Sequence, residues 1–215
     1  MTLPSRIALI LLAGAVFSAS SWCVEDTPSS DLLVYGGTAS GVITAYSAAK
    51  EGLRGVLLEP GTHFGGTVTG ELSATDVGHA SIIGGYACGF YTEAAAHYGT
   101  HNLGRLEDWF SEPHVAEAIL QKMLQDAGVR VFHHEKLLET HGVERKGRRI
   151  VSITTIAGQR WRAKVFADCS YDGDLMAKAQ MSYTWAGRVR QPMARTSPEC
   201  AVLHPTPIRL ATGRP

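Results

Sequence analysis

The chain has 215 residues, 45% of them hydrophobic and 19% charged, enough for one or two domains with a packed core and too apolar for a disordered chain. Lysine plus arginine and aspartate plus glutamate both number 20, so the net charge is zero. That balance provides no basic footprint for nucleic acid or for an anionic membrane surface. Many of the 23 glycines fall between Gly36 and Gly89, the pattern of a glycine-rich site more than of general flexibility.

Taken in chain order, the first residues resemble a targeting segment. Arg6 supplies a positive start, and Ile7 to Phe17 is almost wholly apolar, the length of a signal-peptide core and too short to span a bilayer. Ser18-Ala19-Ser20 provides small residues for cleavage, so residues 1–20 are expected to direct export to the periplasm or beyond, leaving no stable membrane span. Cys23 follows the bulky Trp22, where a lipidation signal places a small side chain, and a short polar lead runs from Glu25 to Ser30. Cys23, Cys88, Cys169 and Cys200 form no CxxC pair, so zinc-ribbon and thioredoxin-like sites lack support. Buried or free thiols are the plain expectation, with pairing open in an oxidising compartment.

The segment that carries chemistry comes next. Asp31 to Tyr35 reads as a short buried parallel strand. Gly36-Gly37-Thr38-Ala39-Ser40-Gly41 follows, then an alanine-rich helix over Val42 to Glu51 ended by Gly52, then the apolar strand Val56-Leu57-Leu58 with Glu59 at its end. A tight turn after the first strand needs Gly36, the helix N-terminus offers free N–H groups and a positive dipole end to a pyrophosphate, and Gly41 lets the helix approach the strands. Glu59 is placed to accept hydrogen bonds from an adenosine ribose, and an acid there disfavours a 2′-phosphate and so NADP. Thr38 stands where the dinucleotide fingerprint expects its middle glycine. A phosphate-free βαβ unit is the plain alternative, but it does not explain an acid closing an apolar strand.

Glu59-Pro60-Gly61-Thr62-His63-Phe64-Gly65-Gly66-Thr67 continues into a second glycine pair. Such a pair allows a loop to fold back over cofactor phosphates and present backbone N–H groups, as in flavoproteins related to glutathione reductase and unlike simple NAD dehydrogenases. With Tyr35-Gly36-Gly37-Thr38, Leu57-Leu58-Glu59-Pro60, Gly65-Gly66 and Thr75-Asp76-Val77-Gly78, the chain resembles the secreted or periplasmic bacterial family of FAD-dependent oxidoreductases. Glu112-Pro113-His114-Val115 and Val165 to Met176 are similar to further segments of that family, so the resemblance spans about Asp31 to Gly187. It implies a Rossmann-like α/β FAD-binding domain with a central parallel sheet, flanking helices and a small antiparallel meander. It also implies FAD as cofactor, and the family often carries threonine at the position of Thr38.

The remaining elements suit that expectation. Gly85 to Tyr98 spaces Tyr86, Phe90, Ala94 and His97 as a helix, and Pro113 to Ala127 reads as a helix with proline at its favoured start and Gly128 after its end. Val129 to His133 reads as a strand. Glu135 to Arg145, Ile150 to Ile156 and Gln159 to Ala163 read as the meander, with turns at Gly147 and Gly158. Lys164 to Asp168 returns to the parallel sheet, and Asp172-Gly173-Asp174 opens a helix reaching about Ala179. By the resemblance, a residue at the start of the meander contacts adenine through its backbone, and Leu137 is the candidate.

The cofactor-binding set is therefore Gly36, Gly37, Thr38, Ala39, Ser40, Gly41, Glu59, Pro60, Gly65, Gly66, Thr67, Leu137 and Asp168. Asp168 ends a strand at the edge where open α/β sheets bind ligands, with helix capping as its plain role. Asp174 reads as a helix N-terminal acid and Asp76 as a loop residue facing either the flavin or a turn. His114 reads as an exposed or capping residue before a proton donor. His63, His133 and His134 lack metal-ligand spacing. Trp109, Trp161 and Trp185 read as packing residues.

After about Gly187 the pattern dissolves into a proline-rich irregular tail, residues 188–215, so a truncated second domain is expected. The expected function is flavin-mediated hydride or electron transfer on a small-molecule substrate. A nucleotide-binding remnant without turnover and an NAD-linked dehydrogenase are the alternatives.

Overall fold

The computed structural model describes residues 25–26, 29–70 and 76–182. The expected export signal, Cys23, Cys200, Trp185 and the tail lie outside the described residues, as do Thr27 and Pro28 of the polar lead.

Strand β1 (Glu25–Asp26) precedes β2 (Ser30–Tyr35), which feeds helix α1 (Ala39–Lys50) and strand β3 (Gly55–Leu58). Helices α2 (Gly85–His97) and α3 (Pro113–Asp126) lead to β4 (Arg130–Phe132). Then come β5 (Val143–Lys146), β6 (Arg149–Thr154), β7 (Gln159–Trp161), β8 (Ala163–Asp168) and the short helix α4 (Asp174–Lys178). Strands β4, β3, β2 and β8, in that order, form a parallel sheet. Strands β5, β6 and β7 form the antiparallel meander. β1 adds to the meander in parallel beside β7, a pairing that its two polar residues did not announce.

The central strand β2 decides the layering. Parallel sheets are covered on both faces, so their strands read as continuous apolar runs. Alternate side chains of β2 enter different cores. Leu32 and Val34 pack with Val42, Phe90, Val115 and Leu120 of the helical layer. Leu33 and Tyr35 pack with Leu137, Ile153 and Trp161 of the meander layer. Each such side chain contributes about 1.5–3 kcal/mol on full burial.

The meander is shorter than its sequence suggests. Of the expected Glu135 to Arg145 strand, only the part from Val143 onward pairs regularly, in Val143–Lys146, while Leu137 makes a lone bridge to Thr155. The chain turns tightly between them, with Gly142 so close to the Leu138 carbonyl that a Cβ would overlap it. Helix α1 begins at Ala39 instead of Val42, because Thr38 caps it. On α2, Phe90 and Ala94 are buried as the spacing predicts, whereas Tyr86 and His97 face solvent.

The two layers are tied at one buried polar contact: the Leu137 N–H donates to the Tyr35 hydroxyl at 3.0 Å. At the opposite end of β2, Asp31 gathers the sheet. Its carboxylate accepts from the Arg54 backbone N–H at 3.0 Å and Nε at 3.1 Å, and pairs with Lys164 Nζ at 2.7 Å. The Arg54 and Lys164 hydrogen bonds hold the Asp31 carboxyl well below the usual carboxylate range.

Tyr35→Phe strands the Leu137 amide in the core and should lower the unfolding free energy by about 1–3 kcal/mol, read from the urea midpoint. Asp31 has a folded pKa below its unfolded value of about 3.9, so its contribution is complete above that pH and is lost as pH falls toward the folded value. The stability gap between wild type and Asp31→Asn should therefore be widest near neutrality and close below about pH 4, with added salt narrowing it.

Candidate dinucleotide site

The candidate residues converge at the C-terminal edge of the parallel sheet, where open α/β sheets bind ligands. The first turn is held by backbone contact. Gly36 has φ +95°, its N–H donates to the Leu58 carbonyl at 2.9 Å, and a Cβ on it would lie 2.7 Å from the Ser170 nitrogen. The turn after β2 thus sits directly on the turn after β8, whose Cys169 N–H donates to the Tyr35 carbonyl at 2.8 Å. A Cβ on Gly41 would overlap the Gly36 carbonyl oxygen, so this third glycine sets how closely α1 approaches its own entry turn.

Thr38 shows why threonine serves at the middle position. Its hydroxyl accepts from the Gly41 N–H at 3.2 Å and donates to the Cys169 carbonyl at 2.8 Å. It caps α1 and clamps the β8 turn at once. Its side chain points into that clamp, and the first-turn amides of Ala39 and Ser40 have no intrahelical acceptor. The Ser40 hydroxyl lies 3.1 Å from that of Thr38.

Glu59 closes β3 beside this turn. Its Oε2 accepts from the Gly37 N–H at 2.7 Å and its Oε1 from the Gly61 N–H at 2.6 Å. A Cβ on Gly37 would stand 2.6 Å from that same Oε2. Gly37 therefore brings the carboxylate to the lip of the nucleotide turn, and Pro60 follows half-buried. The second glycine pair reaches the first. The Gly65 N–H donates to the Gly37 carbonyl at 2.6 Å, and Gly65 bridges Thr38 in parallel register. Gly65 adopts φ +100°, a conformation that side chains rarely tolerate. Thr67, just beyond, is exposed, and its N–H donates to the Tyr171 hydroxyl at 2.7 Å.

Asp168 pairs in register with Tyr35 at the same edge. Its Oδ1 accepts from the Ser170 N–H and hydroxyl at 3.1 and 2.7 Å, and its Oδ2 from the Met176 N–H at 2.7 Å. It organises the turn from β8 into α4. Leu137 is fully buried against the meander, with its N–H taken by Tyr35. Asp174 stands in the first turn of α4, and its N–H is held by the Ser170 hydroxyl at 2.9 Å.

Residues outside this cluster have ordinary partners. His63 pairs with Glu117 at 3.1 Å and the exposed His114 lies 3.8 Å from Glu112. His133 stacks on Phe64 at 5.7 Å, and Asp76 is exposed. Trp109 and Trp161 are buried, against Tyr91 and Phe132 respectively. Cys88 and Cys169 are free and half-buried. Among the described residues no group of three side chains is arranged to hold a metal, and no helix is long and apolar enough to cross a membrane. A cavity of about 440 Å³ between Tyr98, Arg105 and Glu112 lies apart from the glycine turns. Sequence reasoning missed Tyr171, Ser170 and the Cys169 carbonyl. They stand in the Asp168 to Asp174 segment, and only the parallel pairing of β2 with β8 brings them to Gly36 and Thr67.

No curated protein matches this chain. Among solved structures it is similar to a flavin-dependent brominase, with TM-score 0.53 at 15% identity over 71% of this chain and 41% of that one. It is also similar to an L-proline dehydrogenase from P. horikoshii, with TM-score 0.51 at 12% identity over 73% of this chain and 57% of that one. These likenesses show the fold. A flavin monooxygenase from Stenotrophomonas maltophilia matches at TM-score 0.44 and 17% identity over 66% of this chain, which spans 38% of that protein's length. The model of the family described as FAD dependent oxidoreductase matches residues 31–208, and FAD is the cofactor that this match indicates. Both glycine segments, the acid closing β3 and the β8 turn all fall inside the matched residues, and the chain belongs to the FAD-dependent oxidoreductase family.

Proposed function

We propose that this chain binds the adenosine diphosphate half of FAD at the C-terminal edge of its parallel sheet, within an enzyme that oxidises or reduces a small molecule. The observation that carries this is the contact of Gly65 with Gly37 and Thr38, which joins two runs of backbone amides and the Glu59 carboxylate into one lip. The residues fit the group. The Ala39 and Ser40 amides at the α1 N-terminus suit the pyrophosphate, as does the Thr67 amide in the second glycine segment. Each Glu59 oxygen keeps a lone pair free of the Gly37 and Gly61 amides, which suits the ribose hydroxyls. Leu137 is the proposed backbone neighbour of the adenine through its carbonyl, since its N–H is held by Tyr35. When bound, the flavin supplies the hydride or electron chemistry, and the protein supplies binding, orientation and electrostatics. Arg6 and the apolar Ile7 to Phe17 support export, a proposal that a mature N-terminus near Ser21 would bear out and an intact Met1 in a secreting host would overturn.

Two measurements test the cofactor proposal. The full chain purified from a flavin-replete host should carry a flavin absorption band that a reductant bleaches. A colourless protein that binds ADP would instead favour nucleotide binding without turnover. The ribose contact is tested with ADP and 2′-deoxy-ADP. Wild type should prefer ADP by about tenfold, the worth of one hydrogen bond to a charged group, and Glu59→Gln should bring that preference close to unity. An undiminished preference in Glu59→Gln would overturn the ribose contact.

A further inference from the structure

The Thr67 amide, placed by the second glycine pair, is held by a side chain from a distant loop. Its N–H donates to the Tyr171 hydroxyl at 2.7 Å, and that hydroxyl in turn donates to Thr67 Oγ1 at 3.2 Å. The contact shapes the neighbouring position too, since a Cβ on Gly66 would overlap the Tyr171 hydroxyl oxygen. Gly65 and Gly66 both adopt a positive φ, +100° and +59°, and at Gly66 the missing Cβ also admits Tyr171. The tyrosine itself is 66% exposed, so little packing holds its ring. It is presented by the turn that Asp168 and Ser170 stabilise, two residues before Gly173 and the start of α4.

An amide N–H has one proton to donate, so a phosphate oxygen and the Tyr171 hydroxyl cannot both hold Thr67. We propose that Tyr171 is an internal competitor for the phosphate-binding amide of Thr67, and that nucleotide phosphate displaces its hydroxyl. This rests on the proposal that the two glycine segments bind the diphosphate of FAD. An anionic phosphate oxygen accepts a stronger hydrogen bond than a neutral phenol, so it wins the exchange. Tyr171 sets the threshold: it weakens ligands that lack phosphate at this position not at all, and phosphorylated ligands by the strength of the bond they must replace. The residue is therefore a determinant of nucleotide affinity, lying in a loop that the nucleotide-binding fingerprint does not include.

The test is titration calorimetry of the full chain, wild type and Tyr171→Phe, with ADP, FAD and adenosine. Phenylalanine keeps the exposed ring and removes only the competing hydroxyl. ADP and FAD should bind Tyr171→Phe about fivefold more tightly, the equivalent of about 1 kcal/mol for one neutral hydrogen bond. Adenosine affinity should be unchanged. Equal or weaker ADP binding by Tyr171→Phe, with wild-type binding intact, would overturn the proposal and leave the dinucleotide site standing; so would a gain shared equally by adenosine. Absence of ADP and FAD binding from both proteins would overturn the dinucleotide site itself, and this proposal with it. Thermal unfolding of the two proteins checks that the substitution leaves the fold intact, and Tyr171→Leu repeats the affinity measurement without the aromatic ring.

Discussion

The backbone of Gly36 lies so close to the backbone of Cys169 and Ser170 that a single methyl group between them would force the turns apart. That approach brings the exit of β2 and the exit of β8 into one surface. Thr38 then reaches Cys169, the helix α1 starts at the right height, and Gly37 meets the Glu59 carboxylate. Each later contact uses a position that the first one creates. Gly65 closes the set by placing the second glycine segment on Gly37 and Thr38.

The sheet has chemically different ends. At its N-terminal end the Asp31 carboxylate is consumed by Arg54 and Lys164, a charged staple that joins β2 and β8 to the loop before β3. At its C-terminal end the proposed binding surface is made of amide dipoles, hydroxyls and one carboxylate. Amides at a helix N-terminus attract phosphate without a full positive charge, so a chain of zero net charge can still hold an anionic ligand. The ionic staple keeps the strands in register where no ligand enters. At the amide end only the α1 first-turn amides of Ala39 and Ser40 lack an intrahelical acceptor.

The chain belongs to the FAD-dependent oxidoreductase family. Its proposed cofactor-facing elements are the β2–α1 turn, the end of β3, the second glycine segment and the β8 turn. Nucleotide binding and reaction chemistry are separate parts of such a fold, and a reaction is defined by the groups around the flavin ring and substrate. Tyr171 belongs to the nucleotide end of that division. Its effect is on how tightly phosphate is held.

The parallel strands, the two helices of the helical layer, the glycine turns and the acid at Glu59 are legible in the sequence. Those features are local: an apolar run, a 3.6-residue period, and a glycine or carboxylate at the end of a strand each record the nearby backbone. The meander was legible only as alternation, so its first strand was drawn too long across the Leu138 to Gly142 turn. Tertiary structure alone decided three things. It showed that Thr38 acts as both cap and clamp, because its second partner lies on β8. It sent the Leu137 amide to Tyr35, because the sheet and meander meet there. It set Tyr171 on Thr67, because parallel pairing of β2 with β8 brings together loops whose separation in sequence is 104 residues. Contacts of that kind depend on register between distant strands, and no local pattern of residue types encodes them.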